Sequence, residues 1–137
     1  MRIQDCYVVV VTSHHRECRD FYVKWLRSAV VFEASWFALI AIPGDPPRNV
    51  AFMAPDHPSS PPGPETFGGT GIFLTLQVAD AAEEYERLRE GGASFAHELR
   101  DEPWGQRRFA LQDPAGMWID VVEQIESEPG FWDPYVS

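Results

Sequence analysis

Two stretches of the chain carry the same order of hydrophobic patterns, and this repetition constrains the fold more than any single motif. In the first, an apolar run over residues 6–11 leads into a helical stripe of Cys18, Phe21, Tyr22, Trp25 and Leu26. Ser13 stands where an N-cap hydroxyl belongs. Strand-like runs follow at 30–34, 36–42 and 49–53. In the second, an alternating strand over 72–78 precedes Asp80 and Glu83, spaced as a capping box with aspartate as the cap. Ala81, Tyr85 and Leu88 supply the apolar helix face, and Gly91-Gly92 ends the helix. Runs at 93–98, 107–112 and 117–123 complete the set. Each half therefore reads βαβββ, and such self-similarity points to a duplicated unit.

The expected architecture is α+β. Two βαβββ modules form a curved sheet around a cleft, with helices on the outer face. Residues 1–53 make the first module and 71–124 the second. Residues 54–70 are a linker too rich in proline for regular structure. Residues 125–137 form a tail whose Phe131, Trp132 and Tyr135 predict packing on the domain or on a partner subunit.

The last two strands are joined by Asp113-Pro114-Ala115-Gly116, a tight-turn sequence. Its Asp accepts local backbone hydrogen bonds, its Pro presets φ and its Gly supplies an unusual backbone angle. After the turn, Met117, Ile119 and Val121 share one face, while Trp118, Asp120 and Val122 share the other. A carboxylate in such a setting is costly unless paired, solvated or used. Three readings of Asp120 follow: a structural acid salt-bridged to Arg107 or Arg108, a ligand anchor, or a general base.

A formal charge of -10 argues against a nucleic-acid partner, because phosphates would find little to neutralise them. It would draw a cationic ligand by long-range attraction, although solubility alone explains acidity. The chain has two cysteines, Cys6 and Cys18, without metal-binding or redox spacing. Together with the absence of a signal-like start or a bilayer-length apolar run, they predict a cytoplasmic protein without a membrane partner. His14, His15 and Glu17 read as a solvated helix start. His57 and His97 lack a neighbouring nucleophile, and Gly68-Gly69-Thr70-Gly71 lacks the lysine of a phosphate loop.

The duplicated order resembles the vicinal oxygen chelate superfamily. So do the Phe21-Tyr22 and Trp25-Leu26 pairs of the first helix, and Pro103-Trp104-Gly105 leading to Asp113-Pro114-Ala115-Gly116. That family includes glyoxalase I, extradiol dioxygenases, fosfomycin-modifying thiol transferases and bleomycin-resistance proteins. Its metal enzymes place His or Glu near the start of each module and Glu on the last strand. The resemblance puts those positions at Tyr7, Phe73 and Asp120, with none in the matching strand at 51–53. Relatives also carry a Leu-Gly-Phe-like bend where this chain has Arg27-Ser28-Ala29.

The resemblance implies a metal-free and cofactor-free homodimer of bleomycin-resistance character. It would bind and sequester an aromatic, possibly cationic, small molecule. The expected ligand-binding residues are Tyr7, Trp36, Phe73, Trp104, Trp118 and Asp120; Trp104 reads equally well as a plug at the sheet edge. The alternatives are a metal-independent cyclase, isomerase or lyase using Asp120 on a cyclic natural-product-like substrate, and a metal-dependent glyoxalase- or dioxygenase-like enzyme.

Overall fold

A computed structural model describes residues 1–57 and 65–136, so part of the proline-rich segment, 58–64, lies outside the described residues. The elements run β1 (Val8–Val11), α1 (His15–Leu26), β2 (Ala29–Ala34), β3 (Phe37–Ile42), β4 (Arg48–Met53), β5 (Phe73–Gln77), α2 (Ala81–Glu90), β6 (His97–Glu102), β7 (Gln106–Gln112) and β8 (Trp118–Gln124). This is βαβββ twice, in an α+β fold. The strands form two four-stranded mixed sheets, ordered β1-β4-β3-β2 and β5-β8-β7-β6. In each sheet the module's first strand runs parallel to its last, and the other pairings are antiparallel.

The chain divides into two compact units. One comprises Met1–Thr70 with Asp113–Gly116, the other Gly71–Gln112 with Met117–Ser137. In the first, Cys18 and Tyr22 of α1 are buried, as are Ala38, Ile40 and Phe52 of β3 and β4. The Tyr22 ring meets that of Phe52 at 5.1 Å. The Tyr22 hydroxyl donates to Asp113 Oδ2 at 2.8 Å. Asp113 Oδ1 accepts from Ala115 N–H at 2.9 Å, the local bond that an Asp-Pro-Ala-Gly turn predicts.

One local expectation for α1 is corrected. His14, not Ser13, is the N-cap, and it makes no side-chain cap bond. Thr12 Oγ1 accepts from His14 N–H instead, at 3.0 Å. At the other end Arg27 adopts φ 53°, a left-handed cap usually given to glycine. Its N–H and that of Ser28 both reach Tyr22 O. The bend lacking the family's glycine thus forms at a cost in backbone strain. Arg27→Gly is expected to raise the unfolding free energy by about 0.5–1 kcal/mol, measured by urea denaturation.

Burial, followed by the negative charge of Asp113, pushes the Cys18 thiol up to about 12. The same two causes, with the hydrogen bond to Asp113, hold the Tyr22 phenol well above its usual range. Both groups stay neutral in the folded chain at pH values where the unfolded chain ionises them. Their contribution is therefore complete below the ordinary thiol value of about 8.5. It declines as pH rises from there toward the folded values. Denaturation midpoints should accordingly hold steady near neutrality and fall across the alkaline range. An aromatic disulfide reagent should label exposed Cys6 at once and Cys18 only on unfolding.

In the second unit α2 is capped as its sequence predicts, with Asp80 Oδ1 accepting from Glu83 N–H at 3.0 Å. Glu123 Oε1 adds a bond from Ala81 N–H at 3.0 Å. Ala81 and Leu88 are buried, as are Phe109, Leu111, Ile119 and Val121 on the helix-covered sheet face. The main departure is β6, which occupies His97–Glu102 rather than 93–98. Phe95 serves the core from the connection before it, meeting Tyr85 at 4.6 Å and Phe109 at 5.7 Å. The charged run that follows becomes a strand because the neighbouring strand supplies its partners. Arg107 Nε reaches Asp101 Oδ1 at 2.7 Å, and Arg108 Nε lies 3.6 Å from Glu102 Oε1.

Candidate functional site

The face of the second sheet turned away from α2 follows from pairing register. Phe73 is level with Trp118, Thr75 with Asp120, Ala110 with Asp120, and Arg100 with Arg108. Residues level across strands share a face, and alternate residues along a strand return to it. This face therefore carries Phe73, Trp118, Asp120, Arg108, Arg100 and His97. The division of β8 into an Ile119–Val121 side and a Trp118–Asp120–Val122 side matches the sequence pattern.

Charged groups here are unusually enclosed. Asp120 is 4% exposed and Glu102 7%. Arg108 spans them, with Nη1 3.4 Å from Asp120 Oδ1 and Nε 3.6 Å from Glu102 Oε1. Of the two arginines named for Asp120 from sequence, Arg108 is the partner. Arg107 turns instead to Asp101 and, at 3.7 Å, to Glu123. Glu102 Oε1 also has Arg100 Nε at 3.2 Å and His97 Nε2 at 3.7 Å. None of these contacts gives that oxygen a well-directed hydrogen bond, and His97 Nδ1 and Arg108 Nε are likewise buried without one.

Aromatic rings border the cluster. The His97 ring meets Trp118 edge-to-face at 6.3 Å. The Trp104 ring lies over the Arg108 guanidinium at 5.3 Å, within cation–π range. Trp104 is held in place on several sides. Its Nε1 donates to Gln106 Oε1 at 2.8 Å, its carbonyl accepts from Trp132 Nε1 at 2.9 Å, and Phe131 stands 6.3 Å away. The aromatic tail thus packs on its own chain, over the β6–β7 turn. Phe73 is 60% exposed, leaving an open ring beside Trp118.

Four residues expected from sequence, Phe73, Trp104, Trp118 and Asp120, thus gather about one face. Tyr7 and Trp36 belong to the first unit. Tyr7 lies just before β1 and is 43% exposed. Trp36 sits in the β2–β3 turn instead of starting β3, and its ring stacks on His57 at 3.4 Å between centroids, 7° from parallel. Sequence reasoning missed Glu102 and Arg100 and gave His97 no role. The signal available was a hairpin register placing Glu102 and Arg100 opposite Gln106 and Arg108, obscured by the misplaced β6.

The family positions for a divalent metal carry few suitable donors here. Tyr7 and Phe73 offer a phenol and a phenyl, residues 51–53 are Ala, Phe and Met, and Asp120 is engaged by Arg108. Among the described residues no group of three or more His, Cys, Asp or Glu could hold a metal ion. The donor set does not fit one. No described helix is long and apolar enough to cross a membrane.

Comparison with known proteins bears on the whole fold. A glyoxalase/bleomycin resistance protein/dioxygenase from Nocardioides superposes with TM-score 0.73 at 22% identity, covering 95% of this chain and 89% of that one. TioX from Micromonospora sp. ML1 gives 0.70 at 17% identity, covering 90% and 100%. A superfamily member from Sphaerobacter thermophilus gives 0.68 at 28% identity, covering 90% and 98%. Over 53 residues, 39% of the chain, it is 34% identical to an uncharacterized protein of Mycobacterium bovis, and the match spans only 35% of that relative's length. The sequence model of the Glyoxalase/Bleomycin resistance protein/Dioxygenase superfamily matches residues 6–121. With both modules of the fold present and that match running through them, the chain belongs to this superfamily.

Proposed function

We propose that the chain binds an aromatic small molecule on the face of its second sheet turned away from α2, without a metal, and sequesters it. Superfamily membership leaves binding and catalysis both open, because one scaffold carries either. The observation that carries the binding reading is an exposed ring, Phe73, level with Trp118, beside enclosed but incompletely hydrogen-bonded polar groups. Apolar walls with a few placed polar groups are what small-molecule sites generally offer. Asp120 acts here through Arg108, which it holds in place.

The test is a tryptophan-fluorescence titration against aromatic natural products, with and without divalent metal, followed by mass spectrometry. Saturable, metal-independent quenching with the compound recovered intact is the expected result. A new product mass, or binding only with metal, overturns the reading. The resemblance also suggests a homodimer, and exposed Val8, Val9, Val30, Val31 and Phe32 are compatible with buried contacts between copies. Light scattering should then return twice the chain mass.

One observation favours a second reading, metal-independent proton transfer. His97 Nε2 stands 3.7 Å from Glu102 Oε1, beyond hydrogen-bond length, and a bound substrate that draws the two together would let the carboxylate orient the imidazole for acid–base work. Under that reading, His97→Asn retains ligand binding and abolishes turnover.

A further inference from the structure

Glu102 carries an enclosed carboxylate oxygen without a directed hydrogen bond on the face turned away from α2. Its side chain is 6% exposed, and Oε1 has no hydrogen bond although three cationic or protonatable groups lie around it. Arg108 cannot serve it fully, since Nε stands 3.6 Å away while the same guanidinium reaches toward Asp120. His97 is 3.7 Å away. The nearest cation belongs to Arg100, at 3.2 Å, and that side chain is 65% exposed.

These two partners are very unequally held. An exposed arginine in a surface ion pair is weakly retained, because water and salt compete for it. A carboxylate enclosed to this degree has no such alternative and needs a cation beside it. Arg100 and Arg108 also stand directly opposite each other across β6 and β7, so like charges gain from one leaving. Arg100 is thus positioned as a displaceable occupant over a fixed anionic seat. What replaces it must bring its own positive charge, or Glu102 is left with only the more distant Arg108, which it shares with Asp120. It must also donate a hydrogen bond to Oε1. Trp118, beside His97 on the same face, provides an aromatic flank for a flat cation.

We propose that Glu102 is the counter-ion of a planar aromatic cation bearing an N–H donor, and that this ligand binds by displacing Arg100. The inference rests on the binding reading above and deepens it by assigning the charge of the ligand and the residue that selects it. It places the anchor at Glu102 rather than Asp120.

The experiment uses the full chain and three acridines in mildly alkaline buffer: 9-aminoacridine as the cation, acridine as the neutral ring, and acridine-9-carboxylate as the anion. Binding is read by fluorescence. The cation should bind most tightly. Arg100→Gln should tighten its binding about tenfold, because the seat is vacated. Arg89→Gln, which removes the same charge from a 58% exposed arginine on α2, should leave it unchanged. Glu102→Gln should weaken the cation about tenfold and leave acridine unaffected. The Arg100 arm changes an exposed side chain and so stands even if Glu102→Gln misfolds. Equal responses to Arg100→Gln and Arg89→Gln would overturn the proposal while leaving aromatic binding intact, as would tighter binding of the neutral or anionic ring. Absence of saturable binding by all three overturns the proposal and the binding reading together.

Discussion

Gly105→Ala is expected to lower the unfolding free energy by about 3 kcal/mol, from a strained backbone angle and a clash with fixed backbone. Gly105 has φ +105°, a region that side-chain-bearing residues rarely adopt. A Cβ placed there would stand 2.9 Å from Ile125 O and 3.2 Å from Ser127 N, both backbone atoms that cannot swing aside. The same strand end is tied by Ile125 N–H to Gly105 O at 2.9 Å and by Glu128 N–H to Pro103 O at 2.9 Å. Moving the tail to admit a methyl group would strain both bonds and the Trp132–Trp104 bond beyond them. Thermal unfolding should fall by about 10 °C, with altered tryptophan emission before the main transition. A loss below about 1 kcal/mol, the scale of an ordinary helical alanine–glycine difference, would show that the tail yields without resistance.

What was legible in the sequence was chemistry acting over a few residues. Alternation set the faces of β8, Asp80 announced its helix, and Asp113 announced its turn, since each effect is completed within four positions. Pairing across distance was far less legible. Residues 100–102 lay beyond the strand read at 93–98, and Asp101 and Glu102 find partners in Arg107 and Arg108 of β7 only once the hairpin forms. Trp36 looked like the first residue of its strand, but its ring lies on His57, which is 21 positions away. Asp113 was read correctly as a turn residue, whereas its bond from Tyr22 spans 91 positions and left no local trace. The candidate site followed the same division. Its aromatic members stood out by type, while Glu102, buried by tertiary context, did not.

That buried context gives Arg108 its expected weight. Arg108→Leu should destabilise the chain by about 2–4 kcal/mol, because it removes the cation that pairs with enclosed Asp120 and leaves enclosed Glu102 with only exposed Arg100 beside it. The lower end of that range reflects the 22% exposure of the Arg108 side chain, which admits some screening. Arg108→Lys should recover only part of the loss. A single ammonium is a compact charge and cannot span Glu102 and Asp120 as a planar guanidinium does. The adjacent arginine supplies the contrast. Arg107 lies on the opposite face, where Asp101 is 55% exposed and its carboxyl is held below the usual range chiefly by the Arg107 hydrogen bond. Arg107→Leu frees Asp101 into water and leaves Glu123, 3.7 Å away, with its bond from Ala81 N–H, so stability should fall by under about 1 kcal/mol. Urea denaturation of the three variants at neutral pH tests the comparison. Equal losses for Arg107→Leu and Arg108→Leu would mean that Glu102 and Asp120 are solvated in solution, and would remove the enclosed anionic seat on which the proposed ligand selection by charge depends.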